Sequence, residues 1–203
     1  MTDSNKKQSF REGFEAHLES PIPILTRLGT FIFGKKLPDT YTKISFYFGI
    51  AIWTIFLVWI ILGYMVLTNT SWIEAEKGLD VHQLISDRGT ALGFTGDAFQ
   101  NKLITFYNLA IVAWAGMFIG LALQWRKHLY FIYFIWISGA VYLFGMWILL
   151  GFSYWYNDTT LFDKIAFFFL IGHSSLHYYF LRKELLGEKV NFFGIDDSDE
   201  DEE

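Results

Sequence analysis

The segment that decides the fold is residues 44–67, which read ISFYFGIAIWTIFLVWIILGYMVL. These residues include no Asp, Glu, Lys, Arg or His. As a helix they would extend about 36 Å, and the hydrocarbon core of a bilayer is about 30 Å thick. The segment therefore predicts a transmembrane helix that crosses the bilayer once, with some tilt.

Three further apolar segments predict three further crossings, at about 103–123, 129–151 and 162–181. Only residues 124–128 separate the second segment from the third, which predicts a tight helical hairpin. The chain has 203 residues, of which 53% are hydrophobic, so four spans leave little room for a soluble domain. The predicted fold class is an all-α integral membrane protein with four transmembrane helices.

The basic residues are unevenly distributed around these spans. Seven precede the first span, two lie between the second and third, and three follow the fourth. The predicted outer loop, 68–102, and the shorter one, 152–163, carry few basic residues for their combined length. Because Lys and Arg resist translocation, this pattern predicts that both ends of the chain are cytoplasmic, an N-in/C-in topology.

The two ends of the chain differ in character from the predicted membrane domain, 44–181. Residues 1–43 predict a cytoplasmic arm, and about 21–34 within it predict a short amphipathic helix. That helix is too short to span, so we expect it to lie on the membrane face or, alternatively, to pack on a soluble partner. Residues 182–203 predict a cytoplasmic acidic tail that is disordered at its end.

Composition excludes several classes of function. The chain has no cysteine, which excludes disulfides, CxxC redox chemistry and thiolate metal sites. The net charge is −5, and we expect the bilayer and other membrane subunits as partners, with no nucleic acid and no metal. The first forty residues are polar, so we expect no cleavable signal peptide, and we expect the bacterial cytoplasmic (inner) membrane as the location.

Ionisable side chains within the predicted spans are confined to the fourth, where His173 and His177 lie four residues apart on one helical face. His128 begins the third span on the same predicted side. A histidine inside a membrane binds a metal or cofactor, relays protons or hydrogen-bonds a neighbouring helix. The three histidines are candidate ligands for haem b or a quinone, and structural hydrogen bonding is the alternative.

Small residues mark the second and third spans. Gly116 and Gly120 form a GxxxG pattern, and Gly139 and Gly145 give the third span a similar surface. Small side chains let two transmembrane helices approach closely. We expect these glycines to pack helices together, within the chain or against another protein.

No catalytic motif appears in the sequence, so three functions stay open. The leading hypothesis is a non-catalytic accessory or scaffold subunit of a larger membrane complex. The alternative is a redox membrane-anchor subunit that holds haem b or a quinone through His173 and His177. A third hypothesis is an oligomeric channel or transporter for a small solute, although the spans lack the carboxylates that ion-coupled transport usually requires.

Overall fold

The computed structural model describes residues 30, 32, 34, 38–95 and 97–187. The chain divides into two compact units, Met1–Leu37 and Pro38–Glu203. Most of the predicted interfacial helix and all of the tail from residue 188 onward lie outside the described residues. Between residues 38 and 187 the chain forms helices and no strands: α1 (Thr40–Thr68), α2 (Thr70–Lys77), α3 (Val81–Ala91), α4 (Ala98–Trp125), α5 (Phe131–Leu150), α6 (Phe152–Asp158) and α7 (Leu161–Leu185).

Three of these helices, α1, α4 and α5, are long and apolar enough to cross a membrane, with mean hydropathies of 2.5, 1.8 and 1.8. The all-helical fold is thus confirmed for the described residues, with three helices of the kind a multi-pass membrane protein requires. The fourth predicted span falls in α7, which has 25 residues but is less apolar and is not among the three. The fourth crossing and the orientation stay predictions.

Side-chain caps define where α1 and α7 begin, and a backbone motif ends α4. Asp39 caps α1, because its carboxylate accepts a hydrogen bond from the Thr42 backbone N–H at 3.0 Å. Thr160 and Asp163 form a capping box that starts α7. At the end of α4, Lys127 adopts a left-handed conformation with φ of 56°, so that the N–H of His128 reaches the carbonyl of Leu123.

The predicted outer loop, 68–102, contains more helix than the sequence indicated. The spacing of Leu79, His82 and Ile85 predicts one short helix at about 78–87, but two helices are present, α2 and α3. The left-handed Gly78 ends α2, and the side chain of Asp80 caps α3. The predicted loop 152–163 likewise contains the short helix α6.

The four long helices form a ring, because α4 and α7 each pack against both α1 and α5. Aromatic side chains fill its centre, where the fully buried Trp114 contacts Phe56 and Tyr142. Two reciprocal hydrogen bonds join α1 to α4: Trp53 Nε1 donates to the Trp114 carbonyl, and Trp114 Nε1 donates to the Trp53 carbonyl. We call the end of the ring at residues 126–130 the hairpin end and the opposite end the loop end.

Candidate functional site

His173 lies on α7 in the half of the ring nearer the hairpin end, where it contacts α1. Its Nε2 lies 2.8 Å from the hydroxyl of Ser45, which also accepts a hydrogen bond from Gln124 Nε2 at 2.7 Å. Ser45 and Gln124 are both buried, so this chain of polar groups joins α4, α1 and α7 through the interior. With the hydroxyl oxygen accepting from Gln124, its proton is available for an unprotonated Nε2 of His173.

His177 is only 1% exposed and lies one turn further along α7. Its ring stacks on Tyr41, with centroids 5.0 Å apart, and meets the ring of Phe131 edge-on. Neither ring nitrogen has a hydrogen-bond partner in the part of the chain that the structure describes. An unpaired polar group in a protein interior costs free energy, so we expect a water molecule or another small polar group to bind His177.

A small cavity of about 180 Å³ borders His177 at the hairpin end. Three charged groups lie there, since Lys127 Nζ is 2.7 Å from an oxygen of Asp39 and 2.8 Å from one of Glu184. Burial alone would raise the pKa of Asp39, but hydrogen bonds from Lys127 and Thr42 lower it to about 2. Burial alone would lower the pKa of Lys127, but its hydrogen bonds to both carboxylates raise it above its usual value.

The three predicted ligand histidines are not brought together. His128 is exposed and stacks on Tyr130, whereas His173 and His177 lie on the inner side of α7. No group of three His, Cys or acidic side chains suited to a metal occurs among the described residues. The cavity beside His177 is also smaller than the roughly 300–1,000 Å³ of typical ligand pockets, so its size suits water or a small polar group.

The predicted packing glycines lie at contacts between helices of this chain. A Cβ atom placed on Gly116 would lie 2.5 Å from Ser138 Oγ, and one on Gly120 would lie 2.7 Å from Ile135 Cγ1. Gly145 faces Leu109 of α4, and Gly139 faces Ile171 of α7. Three of the four glycines therefore line the seam between α4 and α5, and the fourth lines the contact of α5 with α7.

A larger cavity, of about 470 Å³, lies in the half of the ring nearer the loop end. The hydroxyl groups of Tyr107 and Tyr154 share a hydrogen bond there. Gly63 of α1 makes room for Tyr107, because a Cβ atom at Gly63 would lie 2.6 Å from the Tyr107 hydroxyl oxygen. Sequence reasoning did not find this cavity, because its lining residues come from six helices and share no spacing.

Arg88 and Asp158 close one side of this region. The guanidinium donates two hydrogen bonds to the carboxylate, at 2.8 and 2.9 Å, and these bonds raise the pKa of Arg88. Asp158 lines the cavity, whereas Arg88 does not. The ion pair thus ties α3 to the end of α6.

The outer face of α4 carries polar side chains where a lipid-facing helix would be apolar. Its exposed residues recur at alternating steps of four and three: Asn101, Thr105, Asn108, Val112, Ala115 and Ile119. The Thr105 hydroxyl donates to the backbone carbonyl of Asn101, but the Asn108 amide has no hydrogen bond within the described chain. Steps of four and three place these residues on one face of the helix, and the polar side chains among them distinguish this face from one that contacts lipid alone.

Comparison of the chain with protein families, with curated proteins and with solved structures gave no match.

Proposed function

We propose that this chain is a non-catalytic accessory or scaffold subunit of a membrane complex, and that it binds a transmembrane helix of another subunit along the outer face of α4. The observation that carries the proposal is the exposed and unpaired amide of Asn108. A helix of 28 residues is about 42 Å long, so a centred α4 would bring Asn108 about 9 Å inside the hydrocarbon.

An amide at this depth would face lipid without a hydrogen-bond partner, which costs several kcal/mol. A neighbouring helix with an amide, hydroxyl or carbonyl group at the same depth removes that cost. Thr105 and Ala115 lie on either side of Asn108 on this face. Their small side chains would let the backbones of α4 and the partner helix approach closely. The exposed face of α5, in contrast, is broadly apolar, with residues such as Ile137 and Ile148, and suits lipid.

The proposal includes four crossings in the bacterial cytoplasmic membrane, with both chain ends inside. The uneven distribution of Lys and Arg supports this orientation. The capping box at Thr160 and the basic residues Arg182 and Lys183 delimit α7 at a length suited to a fourth crossing. Residues 165–181 between these ends would extend about 26 Å, slightly less than an average hydrocarbon core.

The test replaces Asn108 by Leu, which removes the amide and keeps a side chain of similar size. Thr54→Leu is the matched control, because Thr54 is exposed on α1 and its hydroxyl donates only to its own helix, at Ile50. We expect Asn108→Leu to weaken the association by about 3- to 30-fold, corresponding to roughly 0.6–2 kcal/mol for a polar contact between membrane helices. The mass of the complex in mild detergent, measured by light scattering, reports the change.

A photo-cross-linking amino acid identifies the partner directly. At Val112, which is 69% exposed on the outer face of α4, we expect a cross-link to another protein. At Ile148, which is 78% exposed on α5, we expect cross-links to lipid only. Equal capture of protein at both positions would contradict the proposal, as would an unchanged mass of the Asn108→Leu complex. Capture of a second copy of this chain would identify the complex as a homo-oligomer.

A second function is favoured by the two unpaired nitrogens of His177, which are typical of a site that binds a further group. This function is the redox membrane anchor, with haem b or a quinone held at His173 and His177, and it requires the cavity of about 180 Å³ beside His177 to widen when the group binds. The purified protein should then show a Soret band or release a quinone on solvent extraction, and His177→Leu should abolish that signal. His128→Leu is the control, and a colourless preparation free of quinone would rule this function out.

A further inference from the structure

The cavity at the loop end lies beside residues 56–67 of α1, and its lining includes Asp163 near the start of α7. In the other half of the ring α1 and α7 are in contact, through the stacked rings of Tyr41 and His177 and the hydrogen bond between Ser45 and His173. The cavity has a volume of about 470 Å³. This volume lies within the range that holds small organic ligands.

The wall of this cavity is rich in aromatic rings. It includes the side chains Phe56, Trp59, Phe106, Tyr107, Tyr142 and Tyr154. The faces of such rings carry a negative partial charge and attract organic cations, most strongly where water is excluded. Trp59 is 62% exposed, so the cavity is open on the side of α1.

The charged residues that line the cavity are acidic. Asp158 and Asp163 belong to its lining, and no Lys, Arg or His side chain does so in the described part of the chain. Arg88 neutralises Asp158 from outside. The Asp163 carboxylate accepts hydrogen bonds from the hydroxyl and the backbone N–H of Thr160, and the described residues supply no cation to pair with it.

The tyrosine hydroxyls add hydrogen-bonding capacity without positive charge. Burial raises the pKa of Tyr154 well above its usual range, so this phenol stays neutral at physiological pH. The hydroxyl of Tyr142 has no hydrogen-bond partner in the described chain, although the residue lines the cavity. A bound molecule would supply that partner.

We propose that this cavity binds an organic cation with an apolar body, such as a quaternary or protonated amine that carries a hydrocarbon group. The cationic end lies near Asp163 and the aromatic rings, and the apolar body packs against side chains such as Ile60, Leu103 and Met146. An anionic ligand would meet the unpaired carboxylate of Asp163 and no basic lining residue to bind it. A plain hydrocarbon would leave the Tyr142 hydroxyl without a hydrogen-bond partner and the Asp163 carboxylate without a cation. The site does not depend on the subunit role proposed above.

The test measures binding of phenylbutyltrimethylammonium to the full chain in nanodiscs of zwitterionic lipid, by isothermal titration calorimetry. Its neutral analogue, in which a carbon atom replaces the nitrogen, is the matched ligand. We expect saturable binding of the cation at one site and at least tenfold weaker binding of the analogue. Equal affinity for the cation and its neutral analogue would mean that the cavity binds the hydrocarbon part alone, and this would overturn the proposal. The absence of saturable binding would also overturn it.

Asp163→Asn removes the proposed charge while its amide oxygen still accepts the capping hydrogen bond from Thr160. We expect this change to weaken cation binding about tenfold or more. Asp87→Asn is the control, because Asp87 is an exposed carboxylate of α3 that does not line the cavity. Tyr142→Phe, which leaves the fold of α5 intact, should weaken binding several-fold, and unchanged affinity in both cavity variants would refute the assignment.

Discussion

Asp39 combines two stabilising roles at the beginning of α1. One oxygen of its carboxylate accepts a hydrogen bond from the backbone N–H of Thr42, and the carboxylate also pairs with Lys127 in the turn after α4. The two roles are separable, because an amide side chain can cap a helix but carries no charge. A variant that keeps the cap and loses the charge therefore measures how much the ion pair contributes to stability.

We expect Asp39→Ala to lower the free energy of unfolding by about 1–2 kcal/mol, since both the cap and the ion pair are lost. Asp39→Asn should cost less than about 1 kcal/mol, because a partly exposed ion pair contributes little. Unfolding of the protein in mixed detergent micelles, followed by circular dichroism, measures both values. Equal losses for the two variants would mean that the charge, not the cap, dominates.

The same ion pair predicts how stability depends on pH. Hydrogen bonds from Lys127 and Thr42 outweigh burial and hold the pKa of Asp39 at about 2, below its usual value of 3.8. The stability that the ionised Asp39 carboxylate contributes to the folded protein is therefore present above pH 3.8 and is lost as the pH falls toward 2. For Lys127 the pKa is raised above 10.5, so its contribution is complete below pH 10.5 and is lost as the pH rises through the folded-state pKa.

We expect the difference in thermal unfolding midpoint between the wild type and Asp39→Asn to be constant from about pH 5 to pH 9. The difference should shrink as the pH falls below 3.8, because protonation of Asp39 then removes the same charge in the wild type. Differential scanning fluorimetry across this range provides the measurement. A difference that stayed constant down to pH 2 would contradict the role given to the carboxylate.

At the scale of elements, the seam between α4 and α5 depends on close backbone approach. A Cβ atom at Gly120 would lie 2.7 Å from Ile135 Cγ1 and 3.2 Å from both the Ile135 nitrogen and the Phe131 carbonyl oxygen. Two of these three atoms belong to the backbone, so the helices themselves would have to move apart. Gly172 on α7 differs, because a Cβ atom there would meet nothing within 4 Å.

We expect Gly120→Ala to lower the free energy of unfolding by about 1–3 kcal/mol, the usual cost of overpacking. Gly172→Ala is the matched control and should be neutral or stabilising by up to about 1 kcal/mol, since Ala favours helix. Both variants are compared with the wild type by unfolding in the same detergent. If Gly172→Ala were the more damaging of the two, the described packing of α4 on α5 would be wrong.

The sequence was informative about the elements that repeat a simple pattern. The uninterrupted apolar run at 44–67 predicted α1, and the five-residue gap at 124–128 predicted the turn between α4 and α5. The GxxxG pattern predicted a close helix contact but could not name the neighbour, because a glycine carries no information about what it faces. The extra helix in 68–102, α2, was missed because it is ended by a local feature, the left-handed Gly78, and has no periodic apolar pattern.

The candidate sites were less predictable, because they join residues that are distant in sequence. The histidine pair was identifiable from its spacing on one helix, but the contacts of His173 with Ser45 and of Lys127 with Asp39 and Glu184 were not. The cavity at the loop end is lined by residues of six helices. The way these helices come together is a property of three-dimensional packing, and no local pattern encodes it.

At the scale of the whole molecule, the number of crossings decides on which side the tail lies. Three helices have the length and hydropathy of spans, and α7 carries the polar residues that make a fourth span costly. Part of that cost is offset within the ring, because His173 bonds to Ser45 and the Ser175 hydroxyl bonds to the carbonyl of Ile171, whereas His177 has no partner among the described residues. The interior contacts of α7 therefore favour a fourth crossing more than its composition does.

Single cysteines report this topology, since the chain contains none of its own. We expect an impermeant thiol reagent to label Ser86→Cys and Asn157→Cys in intact cells, and to label His128→Cys and Ser198→Cys only after permeabilisation. If α7 did not cross, Ser198→Cys would share the accessibility of Asn157→Cys; an N-out/C-out orientation would invert all four results. Labelling in detergent is the control. Four crossings would return the tail to the side of the hairpin, so the fourth span requires His128→Cys and Ser198→Cys to have the same accessibility to the reagent.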